Sequence, residues 1–267
     1  MVRLAALLLI FPLPLTSAAQ AGVEGAGDPR AGLAAAAPTA VVRGGSYVPL
    51  YSPESGAVTV EPFRMDRYPV TRGDFVAFVA SNPRWRRSQV PGVFADSRYL
   101  SDWSGDLEPG DRLDAPVTHV SWFAARAYCT WVGKRLPRVD EWEFAARADE
   151  TRTDAMGDRS HKARILQLYT QRRTPLPPVG STFRNLYGIH DMHGLAWEWV
   201  LDFNTVTAAD DSRGGDRKDG QLYCAAGADG ATDREDYAAF LRYAFRSTLQ
   251  GTTTSAVLGF RCAADLE

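Results

Sequence analysis

The stretch PVTHVSWFAARAYCTWVGKRLPRVDEWEFAAR, residues 116–147, decides how the rest of the chain is read. Ser121 stands where a hydroxyl would cap a helix N-terminus. Trp122, Ala125, Tyr128, Cys129 and Val132 then trace one apolar helical face. Gly133 stands where a C-cap glycine would end that helix. The following LPRVDEWEFAARA, residues 136–148, predicts a second helix with Trp142 and Ala145 or Ala146 turned inward.

Outward from these helices the periodicity fades. VVRGGSYVPLY (41–51) predicts a strand pair or one bulged strand, and AVTVEPFRMDRY (57–68) a further strand that Pro69 ends. Thr71 can cap a helix over 72–81, where Phe75, Phe78 and Val79 fall at i, i+3 and i+4. Residues 82–116 read as a long ordered loop with aromatic anchors. Residues 149–185 read as mostly polar loop. Beyond 186 only REDYAAFLRYAFRSTL (234–249) suggests a helix or an irregular aromatic segment. No internal repeat appears, and regular structure is sparse for the length.

The N-terminus reads as a targeting signal. Arg3 precedes the apolar run LAALLLIFPLPL (4–15), and Ala19-Gln20-Ala21 has the small-x-small form of a cleavage site. The run is too short to span a bilayer, and Pro12 and Pro14 interrupt it. The expectation is a signal peptide over 1–21, a flexible Ala/Gly-rich linker over 22–38 and one folded domain over 39–267. The product would be periplasmic or secreted, with no membrane attachment after cleavage, in a compartment where disulfides persist. Net charge is −2 and no basic stripe stands out, which argues against a nucleic-acid partner.

Taken together, residues 116–147, NLYGIHDMHGLAWEWV (185–200) and LGFRCA (258–263) resemble, in order and near spacing, the formylglycine-generating enzyme family, also called sulfatase-modifying factors. RGGSY and VEPFRMDRYPVTRGDFVAFV match that family's opening pattern, so the resemblance covers nearly all of 41–267. It implies an α+β fold, a C-type-lectin-like variant with little regular secondary structure. The family includes oxidases that convert a sulfatase cysteine to formylglycine. It also includes sulfoxide-synthase domains, siderophore-maturation proteins and exported proteins associated with nitrite reductase. Membership implies the fold more firmly than the reaction.

The departures from the family pattern bear on chemistry. Its copper-using oxidases carry a cysteine pair, four residues apart, upstream of the terminal GFRC. By register that pair falls near Tyr237 and Arg242, and neither is cysteine. Thiolates are the soft ligands that select Cu(I), so copper is not expected here. Arg138-Val139 replaces the family's usual Thr-Glu. The resemblance also implies a disulfide between Cys129 and Cys262. That leaves Cys224, in LYCAAGADG, as a buried apolar residue, a reactive thiol or a soft ligand. It is a catalytic candidate, and an oxidase route would need Cys224, Tyr237 or His193 to take part.

HDMHGLAWEWV, residues 190–200, admits three readings. His190, His193 and a carboxylate could bind a transition metal. Asp191 and Glu198, with the carbonyls of Gly194 and Ala196, could bind a structural calcium, as D-x-x-G-x-A-x-E resembles the family's second calcium loop. Alternatively the acids only cap turns while Trp197 and Trp199 pack on opposite sides of a strand. Calcium is the expectation adopted. The family's other calcium loop has no clear counterpart in 149–185.

The functional expectation is an exported accessory protein that binds, and helps mature or modify, a secreted redox enzyme. A groove bearing Trp103, Tyr237, Arg242, Tyr243 and Arg246 would hold an extended segment of that polypeptide. The rival readings are an oxidase of a small molecule or peptide by another metal or thiol route, and a lectin-like binding module without catalysis. No P-loop, HExxH or GxSxG elbow is present.

Overall fold

The computed structural model describes residues 37–51, 56–171, 174–204 and 236–266. The expected signal peptide, most of the linker and Cys224 lie outside them. Strands β1 (Thr39–Val42), β4 (Phe63–Asp66) and β7 (Ala263–Asp265) form an antiparallel sheet in the order β1-β4-β7. β2 (Gly45–Tyr47) pairs antiparallel with β3 (Val58–Val60), and β5 (Trp197–Trp199) pairs parallel with β6 (Leu258–Phe260). Ala37 and Pro38, at the end of the expected linker, already bond to the domain: the Pro38 carbonyl accepts from Arg67 N at 2.9 Å.

Helix α1 (Arg72–Ser81) starts in a reciprocal cap, with Thr71 Oγ1 accepting from Asp74 N at 3.1 Å and Asp74 Oδ2 accepting from Thr71 N at 3.0 Å. α2 (Trp122–Trp131) is capped by Ser121, whose hydroxyl accepts from Ala124 N at 3.2 Å. It ends at Gly133, whose φ of +73° suits a residue without Cβ. α3 (Val139–Ala146) is shorter than the sequence predicts, because Arg138, with φ −73° and ψ 161°, is extended and stands at its N-cap. Arg138 has no acceptor to cap it, so Asp202 supplies one, its Oδ1 accepting from Val139 N at 2.7 Å.

Phe75, Phe78, Tyr128 and Phe260 meet at ring-centroid distances of 5.3–6.1 Å and centre the main core. Cys129 and Cys262 are bonded there, with Cα atoms 5.6 Å apart, tying α2 to the C-terminal segment across 133 residues. β6 runs hard against the loop before α2. A Cβ at Gly259 would sit 2.6 Å from the Val117 carbonyl oxygen, so no other residue fits without displacing backbone.

One expectation needs correcting. Residues 149–185, expected to be mostly loop, contain a helix: α4 (Arg159–Thr170) starts at Asp158, whose Oδ1 accepts from Ser160 N at 2.8 Å. Its burial rests on His161, Lys162 and Ile165, too few apolar positions to show as a stripe. Of the two forms expected for the aromatic segment near the C-terminus, the structure shows the helix, α5 (Tyr237–Ser247). Among the described residues no helix is long and apolar enough to cross a membrane.

Candidate functional site

The buried face of α5 carries Ala238, Ala239, Arg242, Tyr243 and Arg246, so two arginines share the helix stripe that enters the interior. They enter because α3 presents Glu143 to them. Arg242 Nε and Nη2 donate to its carboxylate at 2.6–3.1 Å, and Arg246 Nη1 donates at 2.6 Å. Desolvation pushes the Glu143 carboxyl up, but the two guanidiniums override it and hold the group down at about 2. Both guanidinium carbons also lie over the Trp142 ring, 5.5 and 5.1 Å from its centroid.

A neutral chain of hydrogen bonds extends from this cluster. Arg242 Nη1 donates to the Tyr169 hydroxyl at 3.1 Å, Tyr169 lies 3.0 Å from His193 Nδ1, and His193 Nε2 lies 2.8 Å from the Ala146 carbonyl. The carbonyl can only accept, so Nε2 carries the hydrogen. Nδ1 is then an acceptor and Tyr169 donates to it. The polarity runs one way from arginine to backbone and needs a neutral imidazole. Burial, and then the nearby Arg242, depress His193 to about 3.

That depression has a sign. The unfolded chain takes up a proton near pH 6.5 that the folded chain refuses until about 3. His193 therefore stabilises the fold above pH 6.5, and the contribution is lost as pH falls toward 3. Urea unfolding between pH 7 and 5 should show this as a loss of about 2 kcal/mol, absent in His193→Gln, with the slope approaching about 1.4 kcal/mol per pH unit only at the acid end of that range. Equal slopes in the two proteins would remove the assignment.

Beside the cluster opens a cavity of about 320 Å³, lined among others by Tyr47, Arg147, Lys162, Asp236, Arg242 and Tyr243. Its walls are fixed by bonds made elsewhere. Tyr47 donates to Asp140 Oδ1 at 2.6 Å, Arg147 pairs with Asp154 at 2.8 Å, and Asp236 caps α5 by accepting from Ala239 N at 2.8 Å. Cationic, anionic and phenolic groups face one recess. Among the described residues it presents no thiol.

The structure brings together only part of the expected groove. Arg242 and Tyr243 line the cavity, whereas Arg246 is buried behind them on Glu143 and Trp142. Tyr237 is 54% exposed at the first turn of α5, stacked on Phe240. Trp103 packs in the main core, edge-on to Phe75, and lines neither this cavity nor α5. Sequence reasoning missed Glu143, Tyr169 and the place of His193. The available signal was Arg242 and Arg246 at i and i+4 on one apolar face, which demands a buried counter-ion.

The two carboxylates expected to bind calcium each have protein donors of their own. Glu198 Oε2 accepts from Arg261 Nε at 2.7 Å and from Trp142 Nε1 at 2.8 Å, and its Oε1 accepts from Arg261 Nη2 at 2.8 Å. Asp191 instead accepts from the backbone N–H of Gly180 and from Thr182 N at 2.8 Å and Thr182 Oγ1 at 3.0 Å. Each carboxylate is satisfied by different protein donors. Among the described residues no group of three or more His, Cys, Asp or Glu could hold a metal. Within HDMHGLAWEWV, Trp197 stacks on Phe245 at 5.0 Å, and Trp199 is buried against Phe203 and donates to the Val120 carbonyl at 2.9 Å.

Comparison with known proteins places these features in context. The sulfatase-modifying factor enzyme 1-like domain matches residues 31–266. The chain is 30% identical to the formylglycine-generating enzyme of Thermomonospora curvata, over 86% of this chain and 92% of that protein. It is 33% identical to the inactive C-alpha-formylglycine-generating enzyme 2 of Bos taurus, over 54% of this chain and 60% of that one. The structure of PvdO from Pseudomonas aeruginosa superposes with a TM-score of 0.49 at 20% identity, covering 85% of this chain and 94% of that one.

Proposed function

The chain belongs to the family of sulfatase-modifying factor enzyme 1-like domains, and we propose that within it this protein is an exported accessory. It binds a segment of a secreted polypeptide, a redox enzyme in the first instance, and assists its maturation without copper-thiolate chemistry. One observation carries the reading. The helix expected to bear the family's cysteine pair bears Tyr237 and Arg242 instead, and Arg242 is committed to a buried ion pair with Glu143. The two cysteines among the described residues are bonded to each other, which removes both as thiolate ligands. The family also contains a relative named as inactive. The leader-like first 21 residues and the disulfide both support export.

Incubation with a sulfatase-type CxPxR peptide, copper and oxygen should leave the peptide cysteine intact by mass spectrometry. Conversion to formylglycine above a protein-free control would overturn the non-oxidase reading. A benzophenone side chain at Val48, exposed on the cavity rim, should crosslink one exported polypeptide in cells. Failure to capture any polypeptide there would remove the docking reading and leave a small-molecule or lectin-like role.

A further inference from the structure

A second cavity, of about 300 Å³, lies at the start of α1 and shares no lining residue with the first. Arg72, Asp102, Arg112, Thr118 and His119 contribute to its wall. Arg72 is only 8% exposed and its charge is already spent: Nη1 donates to Asp102 Oδ2 at 2.8 Å, while its buried Nε has no partner. Arg72 and Asp102 therefore cancel as charges. The other groups are donors in excess of acceptors.

Arg112 donates from Nη1 to the Leu176 carbonyl at 3.2 Å and enters no ion pair among the described residues. This leaves its Nε and Nη2 edge, the geometry that takes both oxygens of a carboxylate. Thr118 is 7% exposed, and its hydroxyl makes no side-chain hydrogen bond within the described chain. His119 Nδ1 lies 3.3 Å from Ser101 Oγ, and when that hydroxyl donates to it, Nε2 carries a hydrogen. Asp111, the remaining acid of the wall, and Arg112 are both exposed, at the mouth of the cavity.

The backbone under this donor set is held in an uncommon shape. Leu100 and His119 have φ of 46° and 55°, and they are pinned together, Leu100 N donating to the His119 carbonyl at 2.9 Å. His119 N donates in turn to the Ser255 carbonyl at 2.9 Å. Left-handed non-glycine residues persist where the surroundings over-determine them, and they cluster at ligand sites.

We infer that this second cavity is a carboxylate-binding site, with the open edge of Arg112 taking the anion and Thr118 and His119 supplying further donors. The carboxylate could belong to a small organic acid or to a polypeptide C-terminus, and the test separates them. Amide spectra of the isotope-labelled exported chain would be titrated with succinate, with a short peptide acid and with the same peptide as its amide. Saturable shifts at Gly110, Thr118 and His119 are expected with succinate, with the peptide acid, or with both, and not with the peptide amide. A succinate-only response identifies a small acid, and a peptide-only response a chain terminus.

Arg112→Gln should weaken that binding roughly tenfold or more while leaving the spectrum of the free protein intact. His119→Asn, which keeps a residue tolerant of the left-handed region, should weaken it several-fold. Arg64→Gln, on the exposed side of β4, should bind as the parent does. The inference falls if neither acid gives a saturable response, if the amide binds as well as the acid, if Arg112→Gln binds unchanged, or if the shifts gather at Arg147 and Lys162 instead.

Discussion

Replacing Glu143 with alanine should cost the fold about 3–5 kcal/mol in urea unfolding at neutral pH. The figure follows from what the change leaves behind. Arg242 and Arg246 have side chains only 4% exposed, and each has Glu143 as its carboxylate partner. Removing that carboxylate strands two cations in a region already arranged around them. The depressed carboxyl points the same way. Its contribution is fully present above the ordinary carboxylate range and is lost only as pH falls through about 2, so a neutral assay reads all of it. Substituting the three charged residues together with apolar side chains of similar volume should recover most of the loss, because desolvation of all three charges is then avoided. A Glu143→Ala protein within about 1 kcal/mol of the parent would mean that water or another acid reaches the arginines, and the site as described would be wrong.

The same cluster shows how far the sequence could be read. α1 and α2 were legible because their apolar spacing and their capping residues agree: Thr71 before Phe75, Phe78 and Val79, and Ser121 before Ala125, Tyr128 and Cys129. The Cys129–Cys262 pairing, expected from the family resemblance, stands in the structure. α4 was hidden because its inward face is largely polar, with His161 and Lys162 beside Ile165. The site was hidden for a related reason. Glu143 lies in VDEWEFAA between Trp142 and Phe144, and nothing local says that its counter-ions sit about a hundred residues away on α5. Periodicity reports which positions turn inward. It does not report that an inward-facing charge has found a partner, which is a tertiary fact. Trp103 was misplaced by the same limit, since an isolated tryptophan reads alike in a groove and in a core.

Glu198→Ala should likewise cost about 3–5 kcal/mol, and by the same amount in calcium and in chelator. Arg261 is fully buried in the strand-end segment that also holds Cys262. Its five N–H groups meet five acceptor contacts: both oxygens of Glu198 at 2.7 and 2.8 Å, the His190 carbonyl at 2.9 Å, and the Asp66 and Arg67 carbonyls at 3.2 and 3.5 Å. Glu198 accepts in addition from Trp142 Nε1, so one carboxylate joins β5, α3 and the chain after β6. The guanidinium thus neutralises Glu198 and ties the HDMHGLAWEWV loop to the C-terminal segment. A divalent ion would have to displace Arg261 from a site with no exposure to water, which leaves a second buried charge to satisfy. The coupling can be measured directly. Arg261→Met should be as damaging as Glu198→Ala, while the double substitution Glu198→Met with Arg261→Met should cost clearly less than the sum, since no uncompensated charge remains. Melting temperature recorded with calcium and with chelator decides between the two cations. If calcium raises it in the parent and Glu198→Ala abolishes that rise, the ion binds at Glu198 and the arginine account is wrong; if the Glu198→Ala loss is the same in both, Arg261 alone carries the charge balance of the loop.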